Sequence, residues 1–143
     1  MVKATIRASF DEEIQKVWQI VTDLQDYSWR SDLSKIEVIN EGQFIEYTTG
    51  GYPTKFTISD KKPFKSYAFA IENSNIRGHW QGEFTKAGSQ TEIVFTEEVT
   101  VKKFYLKPFA KGYLKKQQEK YISDLTATLS KGKYMLKNPL GRV

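Results

Sequence analysis

The chain contains no cysteine and only one histidine, His79, among its 143 residues. The lack of cysteine excludes disulfide bonds, thiolate zinc sites and cysteine nucleophiles. A single histidine excludes every metal site that needs two or more imidazole ligands. We therefore predict a protein without a bound metal or other cofactor.

Long apolar runs are also lacking, since no stretch approaches the roughly 18 residues that cross a membrane. The first five residues do not have the organisation of a secretory signal peptide. The length, with 39% hydrophobic and 14% aromatic residues, suits one domain with a packed core. We expect a soluble, cytoplasmic protein.

Familiar catalytic motifs are missing from the sequence as well. It has no G-x-S-x-G nucleophile elbow, no phosphate-binding P-loop and no dinucleotide-binding glycine motif. The doublet Gly50-Gly51 precedes Tyr52 and Pro53 and predicts a hairpin turn, not a phosphate loop. These motifs therefore identify no catalytic residues, which stay unassigned.

Positive charge is concentrated near the C-terminus, within a net charge of +5. Residues 1–100 carry 11 Lys or Arg against 15 Asp or Glu, whereas residues 101–143 carry 11 against 2. Such an asymmetry indicates contact with nucleic acid or an anionic membrane, or else a solvated helix face. No recognition motif accompanies the lysines, which favours the solvated face and argues against nucleic acid as a partner.

The periodicity of apolar residues predicts the order of the elements. Alternation over residues 3–10 predicts a strand, and helical spacing predicts an amphipathic helix over residues 11–24. The polar segment 25–32 then forms a loop or a short helical turn. Turn-like separators delimit six more strands, at residues 34–40, 43–49, 54–61, 66–73, 76–86 and 90–101. The connections between them are short, which predicts antiparallel pairing.

A long helix is predicted from Pro108 to about Gly132, closing a single domain over residues 1–132. We expect Lys107, Lys111 and Lys115 to be exposed on its flank. Residues 133–143 are predicted to form a basic, poorly ordered tail. The predicted inner side of the helix carries Phe109, Ala110, Tyr113, Leu114, Gln117, Tyr121, Leu125 and Thr128.

This order of elements resembles the START-like (SRPBCC) superfamily, which has the helix-grip fold. The resemblance covers residues 1–130 and depends on the opening ATIRASFDEEIQKVWQIVTDLQDYSWRSDLSKIEVI, the segment GHWQGEFTKAGSQTEIVFTEEVTV and the terminal helix. It implies an α+β fold in which a curved antiparallel sheet of about seven strands wraps around a long C-terminal helix. One or two short helices would follow the first strand. It also implies an elongated cavity that holds a hydrophobic or amphipathic small molecule.

The strand at residues 90–101 contains the most informative candidate, Glu97. Period-two alternation places Glu97 on the same face as Ile93, Phe95 and Val99. A carboxylate among apolar groups is costly unless it is paired or hydrogen-bonded. Glu97 is therefore a polar anchor or acid/base group in the cavity, with Phe95 beside it, or else it lies at a rim or is turned outward by a bulge.

Trp80 shares a strand face with Gly78 and Gly82, whereas His79 lies on the opposite face. The small glycines allow sheet curvature or leave volume for a ligand beside the tryptophan. Trp80 then lines the cavity, or it packs in an ordinary core. His79 is expected to point to solvent.

Trp29 and Arg30 follow the first helix, in a region that the resemblance places near one end of the cavity. Arg30 binds a ligand carboxylate or pairs with Glu97, or it forms an ion pair with Asp26 or Asp32 at the surface. Trp29 lines the cavity or pins this loop against the sheet.

Tyr113, Gln117 and Tyr121 bring polar groups to the predicted inner side of the terminal helix, and Phe109 is expected on the same wall. Polar groups on an apolar stripe indicate a cavity or hydrogen bonds to the sheet. Aromatic side chains of the sheet are predicted to complete this wall, namely Tyr47, Phe56, Tyr67 and Phe69.

We therefore predict a binding protein for a hydrophobic or amphipathic small molecule, with ligand contacts from Trp29, Arg30, Trp80, Phe95, Glu97, Phe109, Tyr113 and Gln117. An enzyme like the polyketide cyclases and dehydrases is the first alternative. An interaction module that uses the basic C-terminal region to bind a protein or an anionic surface is the second.

Overall fold

The computed structural model describes residues 1–137, with side chains through residue 130. It contains seven strands, two α-helices and one short 3-10 helix at Phe104–Leu106. The helices are α1 (Ile14–Thr22) and α2 (Lys107–Lys137). The strands are β1 (Val2–Phe10), β2 (Leu33–Asn40), β3 (Gln43–Thr48), β4 (Pro53–Lys62), β5 (Ser66–Glu72), β6 (Ile76–Ala87) and β7 (Gln90–Val101).

The strands form one antiparallel sheet in the order β1-β7-β6-β5-β4-β3-β2. Strands β2 to β7 follow one another through short connections, and β1 pairs with β7 at one edge of the sheet. This arrangement confirms the predicted helix-grip architecture, with its sheet of seven antiparallel strands and its long terminal helix.

Helix α1 is shorter than predicted, and it is the one helix between β1 and β2. Glu13 and Asp23, which flank it, have extended backbones with ψ angles of 148° and 112°. The acidic residues 11–13 therefore precede the helix and do not form its first turn. Its buried residues are Ile14, Val17, Trp18 and Val21, as the predicted helical spacing requires.

Helix α2 continues to Lys137, five residues beyond its predicted end. Gly132 does not end the helix because a glycine inside a helix costs only about 1 kcal/mol relative to alanine. The remaining part of the predicted tail, residues 138–143, lies outside the described residues. Lys107, Lys111 and Lys115 are exposed, as predicted.

The buried side of α2 is rotated relative to the prediction. Its fully buried residues are Leu114, Gln118, Leu125 and Leu129, spaced so that they lie on one face. This face packs mainly on β1, and the Gln118 amide donates to the carbonyl oxygen of Ala4 at 2.9 Å. No residue of segment 104–113 is buried, so the first two turns of α2 lie outside the core.

The two helices cover only part of the sheet. Helix α1 packs on β6 and β7, and α2 packs on β1 and β7. Strands β3 to β6 instead contribute aromatic side chains to the same face. Phe44 stacks on Phe56 at 4.9 Å between ring centroids, and Phe69 stacks on Trp80 at 4.8 Å. The space beside these rings is the candidate site.

Two glycines of β6 are required by close packing. A Cβ at Gly82 would lie 2.6 Å from Cη2 of Trp80, so the indole ring occupies the position where a side chain would be. A Cβ at Gly78 would contact the carbonyl oxygen of Glu98 and lie 2.7 Å from the Cα of Val99. Gly82 thus gives Trp80 its place on the inner face, and Gly78 allows β6 and β7 to approach closely.

Replacing Gly78 with alanine should destabilise the protein by about 1–3 kcal/mol, since the new methyl group meets backbone that cannot move freely. Gly112 on α2 is the matched control, because no atom lies within 4 Å of its Cβ position. Gly112→Ala should stabilise the protein by about 0.5–1 kcal/mol. Urea denaturation of both variants measures the difference, and equal effects would contradict the close approach at Gly78.

Candidate functional site

A cavity of about 170 Å³ lies between the sheet, helix α2 and the segment that joins α1 to β2. Its size is similar to that of an engineered cavity of about 150 Å³ that binds benzene. Seven of the eight predicted ligand-binding residues line it, namely Trp29, Arg30, Trp80, Phe95, Glu97, Tyr113 and Gln117.

Phe109 is the exception, and its predicted place on the cavity wall is wrong. Its side chain is 70% exposed, because it lies on the part of α2 that precedes the buried turns. Tyr113, one turn later, lines the cavity but is still 58% exposed, which places it at the mouth. Its hydroxyl accepts a hydrogen bond from the Gln117 amide at 2.8 Å.

Glu97 faces the cavity, as one of the two sequence interpretations required. The register of β7 is regular here, with Glu97 opposite Trp80 on β6 and Ala4 on β1. The bulge considered in the alternative is therefore not present. Burial, and secondarily the nearby carboxylate of Glu46, raises the pKa of Glu97 to about 7. Its carboxyl group is thus partly protonated at neutral pH.

Arg30 is held by two carboxylates of the cavity wall. Its Nε and Nη2 donate to the two oxygens of Asp32, each at 3.0 Å, and Nη1 lies 3.5 Å from Oε2 of Glu46. The guanidinium carbon lies 4.7 Å from the ring centroid of Tyr121. The predicted pairing with Asp32 is confirmed, but Arg30 is only 12% exposed, so the pair is not at the surface.

The ion cluster changes the acidity of its members. Burial lowers the pKa of Arg30, but Glu46, Tyr121 and Asp32 together raise it by more. The guanidinium therefore stays charged. Burial raises the pKa of Glu46 above its ordinary value, although Arg30 opposes this effect. The cluster joins one permanent cation to two acids.

Glu46 was not among the predicted site residues. On β3 it shares the inner face with Phe44 and Thr48, while Ile45 and Tyr47 alternate to the other face. The predicted inward position of Tyr47 is therefore wrong, and its hydroxyl donates to Glu37 at 3.2 Å. Period two links Phe44, Glu46 and Thr48, but the sequence does not show which face of β3 is buried.

Tyr67 is buried, lines the cavity and lies on the predicted inner face with Phe56 and Phe69. Within the part of the chain whose side chains are described, its hydroxyl is the one buried side-chain polar atom without a hydrogen-bond partner. Burial and the neighbouring Glu46 raise the pKa of Tyr67 to about 12, so the hydroxyl remains a donor at neutral pH.

The segment between α1 and β2 is anchored on α2. The ring of Trp29 packs edge-on against Tyr121 at 5.2 Å, and the backbone and hydroxyl of Ser31 donate to Asp124 at 2.8 and 2.9 Å. Trp29 therefore closes this side of the cavity against the helix, whereas the sequence indicated the sheet as its alternative support.

Two negative observations concern residues 1–137. The described side chains include no group of three metal-ligating residues that could hold an ion. No described helix is long and apolar enough to cross a membrane.

The chain belongs to the family described as polyketide cyclase / dehydrase and lipid transport, whose family model matches residues 1–130. This match confirms the START-like resemblance and covers the whole of the cavity. A search of curated proteins found no match.

Solved structures show the same fold at low sequence identity. A conserved protein from Geobacillus kaustophilus superposes with a TM-score of 0.79 at 14% identity, over 91% of this chain and 96% of that one. A START superfamily protein from Mycobacterium smegmatis superposes with a TM-score of 0.78 at 13% identity, over 90% of this chain and 97% of that one. These similarities show the fold alone.

The raised pKa of Glu97 predicts a pH-dependent effect on stability. The folded protein holds this proton up to about pH 7, whereas the unfolded chain releases it near pH 4.5, so raising the pH through this range removes stability. Glu97→Gln cannot ionise and should be more stable than the parent protein by about 3 kcal/mol at pH 8. At pH 4 this advantage should disappear. Urea denaturation at both pH values measures it, and an equal difference at both would contradict a buried carboxyl.

The ion cluster predicts a coupling between Arg30 and Glu46. Arg30→Gln should cost about 3 kcal/mol, because it leaves a partly buried carboxylate without its cation. Adding Glu46→Gln to that variant should recover part of the loss. Chemical denaturation of the single and double variants gives the coupling energy, with the exposed Arg77→Gln as a control expected within about 0.5 kcal/mol of the parent. Strict additivity would show that the two side chains act separately.

Proposed function

We propose that this protein binds a small aromatic or amphipathic molecule that is neutral or positively charged in the cavity beside Tyr67 and Glu97. The observation that carries the proposal is the buried, unpartnered hydroxyl of Tyr67 on the cavity wall. A buried donor without an acceptor costs about 1–3 kcal/mol. A ligand that brings an acceptor to Tyr67 would remove that cost.

The remaining walls favour an aromatic ligand. Phe69 and Trp80 stack on each other, and Trp80 lies 4.7 Å from Phe95, so these rings form a continuous apolar wall. Ring pairs with centroids at such distances stabilise a structure by more than the burial of their apolar area alone. A flat ligand would extend this arrangement, while a hydroxyl or amine at its edge would reach the polar groups.

The charges of the site argue against an anionic ligand. Four carboxyl groups, those of Asp23, Asp32, Glu46 and Glu97, line the cavity with one guanidinium, and Arg30 already pairs with two of them. A ligand carboxylate or phosphate would add to this negative charge in surroundings of low dielectric constant. An ammonium or hydroxyl group would instead donate to Glu97.

An enzyme of the cyclase or dehydrase type is the second candidate, and one observation favours it. A carboxyl group with a pKa of about 7 in a cavity has the acidity of a general acid or base at neutral pH. The description of the family includes such enzymes. Binding alone leaves a ketone such as 2-tetralone unchanged, whereas catalysis by Glu97 would exchange its α-protons with deuterium from solvent.

Three naphthalene derivatives of similar shape test the proposed preference. At pH 8, 2-naphthol and 2-naphthylmethylamine should bind at least about ten-fold more tightly than 2-naphthoate, because only the last carries a negative charge. Isothermal titration calorimetry measures the three affinities. Equal or tighter binding of 2-naphthoate would contradict the proposed charge preference.

Tyr67→Phe separates a binding role from a structural one. Removing a hydroxyl that has no partner should leave stability unchanged or raised, while the affinity for 2-naphthol falls by about five- to ten-fold. Tyr47→Phe is the control, since Tyr47 lies on the other face of β3, where its hydroxyl bonds to Glu37. No binding of any of the three molecules by the parent protein would contradict the proposal.

A further inference from the structure

Exposed aromatic side chains are concentrated in one short segment. Among residues 1–130 the structure has eight large apolar side chains that are exposed, and four of them lie between residues 104 and 113. Phe104 is 79% exposed and Phe109 is 70% exposed, while Tyr105 and Tyr113 are each 58% exposed. Single exposed apolar residues are ordinary, but a cluster of aromatic rings marks an interaction site.

This segment projects from the body of the protein. None of residues 104–113 is buried, and the first buried residue of α2 is Leu114. We name residues 103–113 the projecting segment. Its lysines are Lys103, Lys107 and Lys111, and it contains no acidic residue. Lys116 and Lys120 continue the exposed face of α2 beyond it, on the same side of the helix as Phe109 and Tyr113.

The projecting segment adjoins the mouth of the cavity. Tyr113 belongs to the segment and also lines the cavity, and Gln117, to which its hydroxyl is bonded, lines it as well. A surface that holds this segment would therefore lie next to the opening through which a ligand enters.

We propose that the projecting segment docks on the surface of an anionic phospholipid membrane. Phenylalanine and tyrosine rings partition into the interface between headgroups and acyl chains, and adjacent lysines are attracted to anionic headgroups. The aromatic rings supply the apolar contact that a merely solvated lysine face does not need. The inference does not depend on the identity of the cavity ligand.

Two other partners for the projecting segment, a second copy of this chain and nucleic acid, are disfavoured. A second copy of this chain would bring like-charged lysines together at the same patch, which disfavours a symmetric dimer. Base recognition in nucleic acid relies strongly on arginine, and residues 101–137 contain none. Both occupants are nevertheless separate outcomes of the experiment.

Co-sedimentation with vesicles tests the docking surface. The parent protein should bind vesicles of phosphatidylcholine containing about one-third phosphatidylserine, and bind pure phosphatidylcholine at least about ten-fold more weakly. Raising the salt from about 0.1 M to about 1 M should weaken binding to the anionic vesicles, because screening shortens the reach of the lysine charges.

Matched variants separate the contribution of the aromatic rings to membrane binding from that of the lysines. Phe109→Ala and the pair Lys107→Gln/Lys111→Gln should each reduce binding to the anionic vesicles by about ten-fold, with unchanged thermal midpoints because these side chains are exposed. The controls are Ile39→Ala, an exposed apolar residue of β2, and Lys61→Gln/Lys65→Gln near the β4–β5 turn. Both should bind like the parent protein.

Several results would overturn the proposal. One is that the parent protein does not bind the anionic vesicles at about 0.1 M salt. Another is that the variants and their controls lose equal amounts of vesicle binding. Binding to a single-stranded oligonucleotide that Phe109→Ala abolishes, without binding to vesicles, would assign the segment to nucleic acid. A concentration-dependent dimer that Phe109→Ala dissociates would assign it to a second copy.

Discussion

A sheet of seven strands presents more apolar surface on one face than two helices can cover, and the rest of this structure depends on that mismatch. Helices α1 and α2 pack on β1, β6 and β7, at one side of the sheet. Aromatic rings from β3 to β6 occupy the inner face beyond them, and the loop that carries Trp29 closes over the remaining space. The cavity is thus a direct consequence of the way the helices are placed.

Polar groups inside such a cavity are tolerated because most of them satisfy one another. Arg30 bonds to Asp32 and Glu46 and lies over the ring of Tyr121, so the cation and two acids form one connected network. Tyr67 and Glu97 remain outside this network. Among the described side chains the Tyr67 hydroxyl has no hydrogen-bond partner, and burial raises the pKa of Glu97, which are two signs of the same cost of burial. Those two residues are therefore the groups with most to gain from a ligand.

Helix α2 combines two environments along its length. Its described turns from Leu114 onward bury a regular stripe against the sheet, whereas its first two turns bury nothing. The sheet edge thus supports the helix only in part, and the unsupported part carries aromatic rings and lysines. The cavity opening and the projecting segment meet at Tyr113, which contributes to both.

Local periodicity in the sequence was sufficient to predict the order of strands and helices, the inner face of β7 and the exposure of Lys107, Lys111 and Lys115. These features depend on neighbours along the chain, because side chains alternate every two residues in a strand and repeat every 3.6 residues in a helix. The family resemblance then supplied the relation between sheet and helix, and with it the expected cavity.

Tertiary structure alone decided which face of β3 is buried, how α2 is rotated and which partners Arg30 has. Each face of β3 carries both apolar and polar residues. The neighbours of Glu46 and Tyr47 in sequence therefore could not show which of the two points to the core. The wheel of α2 placed Phe109 with the inner residues, yet its side chain is exposed in the folded protein. Periodicity identifies the faces of an element, but what lies opposite each face depends on residues that are distant in sequence.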